Sequence, residues 1–322
     1  MNLFKFGVAA ALSSLLAVPV AASADTYPSR PITIIVPFSA GGGTDMLGRL
    51  VAQEMTEILK SSVIVDNKAG ASGQIGTRYV IQAPADGYTL LLGTTSLINH
   101  PFMFTNLPYD AAKQLRPIVS VADQSIFLAV NDKVPARDTK EFIAWAKKSS
   151  KVNYGSAGAG TTLHLSAEWL KKNAGFDATH IPFKGSGQSV AALGSGEIDF
   201  NMENLGAVEA MVDSKRVRLL AVAAPKRNPA YPNVPTLAEA GLPPATLATW
   251  MFLLAPAGTP DSVVNTLNKA VNQALTKPEL QARLVKLGYV VNGGTAEAAA
   301  ARMKTESEQW GPLIKAANIT VQ

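Results

Sequence analysis

VPFSAGGGTDMLGRLV, residues 36–51, decides how the rest of the chain is read. The apolar run PITIIVPF leads into a glycine-rich loop and then into DMLGRLVAQEMTEILK. There Leu47, Val51, Met55 and Leu59 recur every four residues, while Arg49, Gln53, Glu57 and Lys60 fall on other faces, so the segment is a helix with one buried stripe. Strand, small-residue loop and amphipathic helix in that order open an α/β fold with parallel strands and right-handed crossovers. The loop carries no lysine, and no stretch reads G-x-x-x-x-G-K-[ST] or G-x-G-x-x-G, which removes the usual nucleotide-binding loops. The remaining tool is the backbone. Glycines let the main chain come close to a ligand, and a helix start offers unpartnered N–H groups with about half a positive charge.

The same grammar returns in VNYGSAGAGTTL, residues 152–163: apolar strand, small residues with glycines, threonine, helix. Two such helix starts converging on one cleft supply roughly the complement of a carboxylate without a basic side chain; a phosphate satisfies the same argument. The alternative for each loop alone is an ordinary strand-to-helix turn, with Thr44 and Thr161 or Thr162 serving as N-caps. Asp45 is awkward beside an anion; it caps or neutralises its helix start, or reads an ammonium group. GTTSLIN (93–99), KGSGQ (184–188) and MENLG (202–206) also follow strands and are placed to complete the cleft.

Outward from these loops, SVIVDN, GQIGTRYVIQ and YTLLLGTTS continue the alternation of strand and helix. A second series starts near residue 126 with SIFLAVN and DTKEFIAWAKKS, where Asp138 and Glu141 have capping-box spacing. Then follow the 152–163 unit, THIPF, a short helix near QSVAALGSG, IDFNMEN and RLLAVAAP. Prolines accumulate from Pro225 to Pro244, an irregular connection with one short helix at Leu237 to Ala240. Beyond WMFLLAPAGTP only helices are expected, and helices without strands of their own must cover an existing sheet. The reading is an α/β, two-lobed, type II-like periplasmic binding protein fold, each lobe a central sheet flanked by helices. Lobe I comprises residues 25–125 and 250–322, lobe II residues 126–249, and two hinge crossings leave a cleft between them.

Composition agrees. A chain 47% hydrophobic and 16% charged is globular, and about 300 mature residues suit two lobes of roughly 120 to 170 each. MNLFKFGVAAALSSLLAVPVAASA has one early cation, an apolar run and Ala22-Ser23-Ala24, the signature of a secretory signal (residues 1–24) cleaved after Ala24. An uncleaved anchor is the alternative, since the run from Phe6 to Ala22 is near the shortest that spans a bilayer. No other segment is long and apolar enough to cross, which places the mature chain in the periplasm. The absence of cysteine excludes a lipoprotein anchor and disulfides. The formal charge of +5, or +4 once Lys5 leaves with the signal, comes from scattered cations rather than a nucleic-acid stripe. His100, His164 and His180 are far apart in sequence and match no metal motif, so neither metal nor cofactor is expected. No serine sits in G-x-S-x-G; the enzymatic alternative is a secreted hydrolase pairing His164 with Ser156 or Ser166.

Several phrases in order, YPSRPITIIVPFSAGGGTDMLGR, ADGYTLLLGT, LPYD, NYGSAGAGTTLHL, KGSG, AVAAPKRNPAYPNVPTLAEAGLP and LLAPAGTP, span essentially the whole mature chain. They resemble the periplasmic substrate-binding proteins of tripartite tricarboxylate transporters, the Bordetella uptake gene family. That resemblance implies a monomer that closes on a small organic anion and hands it to membrane subunits of a secondary transporter, doing no covalent chemistry. A sensor role feeding a signalling partner is the alternative within the same fold. It also implies that Phe38, Ser39, Ala40, Gly41, Gly42, Gly43, Thr44 and Asp45 face Ser156, Gly158, Gly160, Thr161 and Thr162 across the ligand. Thr95, Ser96 and Asn204 then line the wall that chooses it. The ligand class implied is a di- or tricarboxylate, an aromatic acid or an acidic amino acid. Two departures fall on that wall: FNMEN (200–204) has glutamate where the family usually has aspartate before the asparagine, and KGSGQS lacks the usual proline and alanine.

Overall fold

A computed structural model describes residues 27–245 and 247–316; the signal segment and its cleavage after Ala24 lie outside them. β1 (Ile32–Val36) is β-branched at every position and almost wholly buried, as a central parallel strand should be. It feeds α1 (Gly43–Leu59), which buries Leu47, Leu50, Val51 and Met55. β2 (Val63–Asn67), a 3-10 turn at Ala71–Gly73, α2 (Gln74–Ile81) and β3 (Thr89–Thr94) follow, and β1 pairs in parallel with both β2 and β3. α3 (Ser96–Met103) and the short α4 (Ala111–Gln114) lead to β4 (Leu115–Asn131), a strand of 17 residues.

The second series comprises α5 (Thr139–Lys148), β5 (Asn153–Ser156), α6 (Thr162–Ala174), β6 (Thr179–Pro182), α7 (Ser186–Ser195), β7 (Phe200–Asn204), α8 (Leu205–Asp213) and β8 (Val217–Val222). β9 (Ala248–Pro256), α9 (Asp261–Leu275), α10 (Pro278–Lys286), β10 (Tyr289–Gly293) and α11 (Ala296–Ala316) close the described chain. The strand order is β2-β1-β3-β9-β4-β7-β5-β6, with β8 and β10 also on β4. β4 is the shared member. Along residues 115–125 it runs antiparallel to β9, with β10 on residues 120–124; from Ile126 onward it pairs with β7 and β8 instead. One long strand thus carries the chain from one sheet system to the other, and the fold is the two-lobed α/β arrangement expected.

α9 buries Val264, Leu267, Val271 and Ala274 against α1 and β4, and α11 lies on β4 and α3, so the C-terminal helices do cover the N-terminal sheet. Three expectations need correction. β4 begins at Leu115 rather than near 126. The C-terminal part is not purely helical: YVVNG forms β10, a five-residue strand entered from Gly288 and ended by Gly293 and Gly294, and its stability comes from β4, far away in sequence. Residues 237–240 make only hydrogen-bonded turns, stopped at Gly241, whose φ of +86° ends any helical run. The capping box of α5 forms with a shift: Asp138 accepts from the Glu141 amide at 2.8 Å, while Glu141 accepts from Arg137 N–H at 2.7 Å.

Candidate ligand-binding site

Between the ends of β1, β3, β5 and β7 lies a cavity of about 20 Å³. Its walls are Phe38, Gly42, Gly43, Thr44, Asp45, Thr94, Ser96, Ala157, Thr161, Thr162, Leu163, Ser186, Asn204 and Thr249. Those residues include the first positions or N-caps of five helices: Gly42 of α1, Ser96 of α3, Thr161 of α6, Ser186 of α7 and Asn204 of α8. Each strand ends at the cavity and each helix leaves from it, so the amides of five first turns border one small space. Five half-charges amount to roughly two positive charges, enough for a dianion, with no lysine or arginine in the wall.

Three side-chain atoms strengthen this. The Oγ1 of Thr162, the Oδ1 of Asn204 and the Oγ1 of Thr249 are buried without hydrogen-bond partners among the described residues, although each residue lines the cavity. Groups so buried are normally paired, so unspent ones around a cavity mark a place built for a polar guest. Thr161 is spent differently: it caps α6 by accepting from the His164 amide at 3.4 Å and donates to Gly158 O at 2.7 Å. Thr44 is not a cap, since Gly42 holds that position on α1.

Asp45 resolves its own difficulty. Its carboxylate accepts from Gly41 N–H at 3.0 Å, Asn67 Nδ2 at 2.9 Å, Arg49 Nε at 3.1 Å and Arg49 Nη2 at 3.0 Å. Burial opposes its ionisation, but the Arg49, Gly41 and Asn67 donors outweigh that and hold its pKa below the usual carboxylate range. The charge is consumed in shaping the loop, leaving no free carboxylate for an ammonium. Gly41, whose φ is +83°, turns that loop where a side chain would be strained.

The structure brings Phe38, Gly42, Gly43, Thr44, Asp45, Ser96, Thr161, Thr162 and Asn204 to the cavity. Ser39, Ala40, Gly41, Ser156, Gly158 and Gly160 shape the flanking loops without lining it. Thr95 turns away, accepting from Trp250 N–H at 2.8 Å and so tying α3 to β9. Thr94, Ala157, Leu163, Ser186 and Thr249 join the wall unanticipated as individual residues. Ser186 lies in the KGSGQ segment already marked; Thr249 had no local signal, because β9 reaches the cavity through pairing with β3 and β4.

The loops also touch across the cleft. Ser39 N–H donates to Lys184 O at 3.3 Å, Gly187 has no room for a Cβ beside Ala40 O, and Gly158 lies against Ser72. The hydrolase reading fares poorly. The histidine that meets Ser156 is His180, at 2.7 Å, not His164, which accepts from Gly160 N–H at 3.1 Å and stacks on His180. Ser166 donates to Thr162 O. Ser156 is fully buried and also bonds Gly158, so the pair pins the loop. Among the described residues no three His, Cys, Asp or Glu side chains gather as metal ligands would, and no helix is long and apolar enough to cross a membrane.

A two-lobed α/β fold around a small cavity walled by helix starts defines a solute-binding protein of the periplasmic type. The chain belongs to the tripartite tricarboxylate transporter family of receptors, whose family description matches residues 47–319. Similar solved structures include the periplasmic binding protein BugD, 33% identical over 92% of this chain and 100% of that one, with a TM-score of 0.89. A Rhodopseudomonas palustris protein, Rpa4515 with adipate, is 33% identical over 91% and 99% of the two chains, with a TM-score of 0.88. MatC from Rhodopseudomonas palustris with bound malate is 30% identical over 89% and 100%, with a TM-score of 0.85.

Proposed function

We propose that this chain is a periplasmic receptor that captures a small dicarboxylate between its lobes and delivers it to the membrane subunits of a tripartite-type transporter. The observation that carries the reading is the convergence of five helix N-termini on one cavity with no basic side chain in its wall. Such a wall reads charge through backbone amides, and two carboxylates match the roughly two positive charges of five helix starts better than one does. The similar proteins solved with adipate and malate support the same ligand class. Asp45, already paired, gives no reason to prefer an amino acid over a plain diacid. We assign the lobes as residues 25–125 with 250–322 and residues 126–249, which agrees with the change of partners on β4 between Ser125 and Ile126. The ligand grip is assigned to Phe38, the 42–45 segment, Ser96, Thr161, Thr162 and Asn204, with the 39–41 and 156–160 loops holding it in shape.

The test is thermal shift of the mature protein against diacids of four to six carbons, aromatic acids, acidic amino acids and neutral sugars, followed by calorimetry. The expected outcome is stabilisation by diacids alone, by about 2.7 kcal/mol at a hundredfold excess over Kd. In the same assay Thr162→Val should weaken binding about tenfold while leaving the free protein equally or more stable, because it removes a buried hydroxyl that has no partner. Stabilisation by sugars and by no acid would overturn the reading.

A further inference from the structure

Glu203 lies in β7 one residue before the cavity-lining Asn204, and it is fully buried. Its Oε1 accepts from Ser186 Oγ at 2.8 Å and from Asn204 N–H at 2.9 Å, while Oε2 has no hydrogen-bond partner among the described residues. Ser186 is itself in the cavity wall. A hydroxyl has one proton, and as long as Ser186 spends it on an ionised Glu203, only its lone pairs remain for the cavity, where they repel a carboxylate.

We propose that Ser186 is a ligand-contacting donor whose hydroxyl is turned toward the cleft by protonation of Glu203, so that capture of an organic anion takes up one proton. The proposal rests on the anion-binding reading above. The step balances simply. A proton from solvent joins Glu203 and donates to Ser186 Oγ, and the Ser186 proton turns to the ligand oxygen. The Asn204 amide keeps its bond to Glu203. No bond to carbon is made or broken.

The surroundings fit a carboxyl that changes charge state. Burial pushes the Glu203 pKa up to about 7, and the two donors only partly offset it. The titratable groups on neighbouring elements are engaged elsewhere or lie toward solvent. On β4, Asp123 pairs with Arg302 and Arg116 with Asp261. On β5 and α6, Tyr154 and Lys171 both bond Glu168, His164 accepts from Gly160, and Lys172 is exposed. On α8, Glu209 is half-buried and Asp213 exposed; α7 carries no titratable side chain; on α1, Asp45 is paired with Arg49. Among the described residues Glu203 therefore has no cation to compensate it. An anion bound beyond Ser186 raises its proton affinity further.

Calorimetry with adipate and malate at pH 8, in buffers of different ionisation heat, reads the proton count directly. The expected result is uptake approaching one proton per ligand, with affinity falling up to about tenfold per pH unit above pH 7. Glu203→Gln should bind with no proton uptake and no pH dependence, and at pH 8 more tightly than the natural chain. Ser186→Ala should bind more weakly and abolish the uptake. A carbon-13 titration of the Glu203 carboxyl in the free natural protein covers the case of a variant that does not fold. Binding without uptake, or a Glu203 that titrates near 4.5, overturns this inference alone; no binding of either acid overturns it together with the receptor reading.

Discussion

Three histidines sit in two buried neighbourhoods, and each is kept neutral chiefly by loss of solvent, with Lys171 adding to the effect at His164 and His180. His100 is enclosed with Tyr109, 3.0 Å from its hydroxyl, and its pKa falls to about 4. His164 and His180, stacked 4.1 Å apart beside Tyr154, fall to about 4 and about 3, burial being the largest cause in both. Below pH 6.5 the unfolded chain binds protons that the folded one refuses, so these groups contribute stability above 6.5 that is lost as pH falls toward 4. Glu203 has the opposite sign: its pKa is raised, so its contribution is full below 4.5 and disappears as pH rises through 7. Glu306, whose pKa burial also pushes up to about 7, adds to the Glu203 side, so stability should peak near neutrality and fall only gently toward pH 4.5, where three histidines are largely offset by two glutamates. Urea midpoints against pH check this. His180→Gln should flatten the acid limb and Glu203→Gln the alkaline one; limbs unchanged in both variants would mean other groups control them.

Helix starts were the most legible elements, because glycine followed by threonine and an apolar stripe announces α1 and α6 locally. Their convergence with α3, α7 and α8 was only partly legible, since which loops meet is set by strand order across the whole sheet. β10 and the cavity wall at Thr249 escaped notice for the same reason: their partners on β3 and β4 lie over a hundred residues away. Thr95 looked like its neighbour Ser96, yet its bond to Trp250 could be known only once β9 was placed beside β3. At this scale Gly187 separates folding from closure. It sits in the first turn of α7, where alanine suits the helix better by up to about 1 kcal/mol. Its added Cβ, however, would come within 2.5 Å of Ala40 O on the facing loop. Gly187→Ala should thus keep or raise the melting temperature of the free protein while lowering diacid affinity by at least about tenfold. Calorimetry and scanning calorimetry on one preparation measure both, and unchanged affinity would remove the 184–187 seam from the closing surface.

For the whole molecule the question is how a guest reaches a cavity of about 20 Å³ whose lining residues are all buried. A space that small has room for about one water, so on the proposed reading an organic acid fits only when the facing loops separate. The two lobes share β4, and the chain returns through the segment leading to β9, which leaves the strands continuous while the loops swing apart. Closure then gains from ligand contacts that the open form lacks, and the ligand shifts the population. The absence of cysteine makes this testable without background thiols. A Cβ added at Gly185 would lie 3.3 Å from the Ser39 Cβ and 2.7 Å from the Ser39 backbone nitrogen, so the seam must part slightly to admit it, which carries the Cβ pair into the range of about 3.5–4.5 Å a disulfide needs; the φ of 160° at Gly185 is extended backbone. The double variant Ser39→Cys with Gly185→Cys should oxidise to a form locked shut. Its diacid association should slow by at least about tenfold and recover on reduction, and its scattering radius should stop responding to ligand. Fast binding by protein shown by mass spectrometry to hold the disulfide would mean that the guest enters without parting this seam, and the two-lobe closing motion would have to be placed elsewhere.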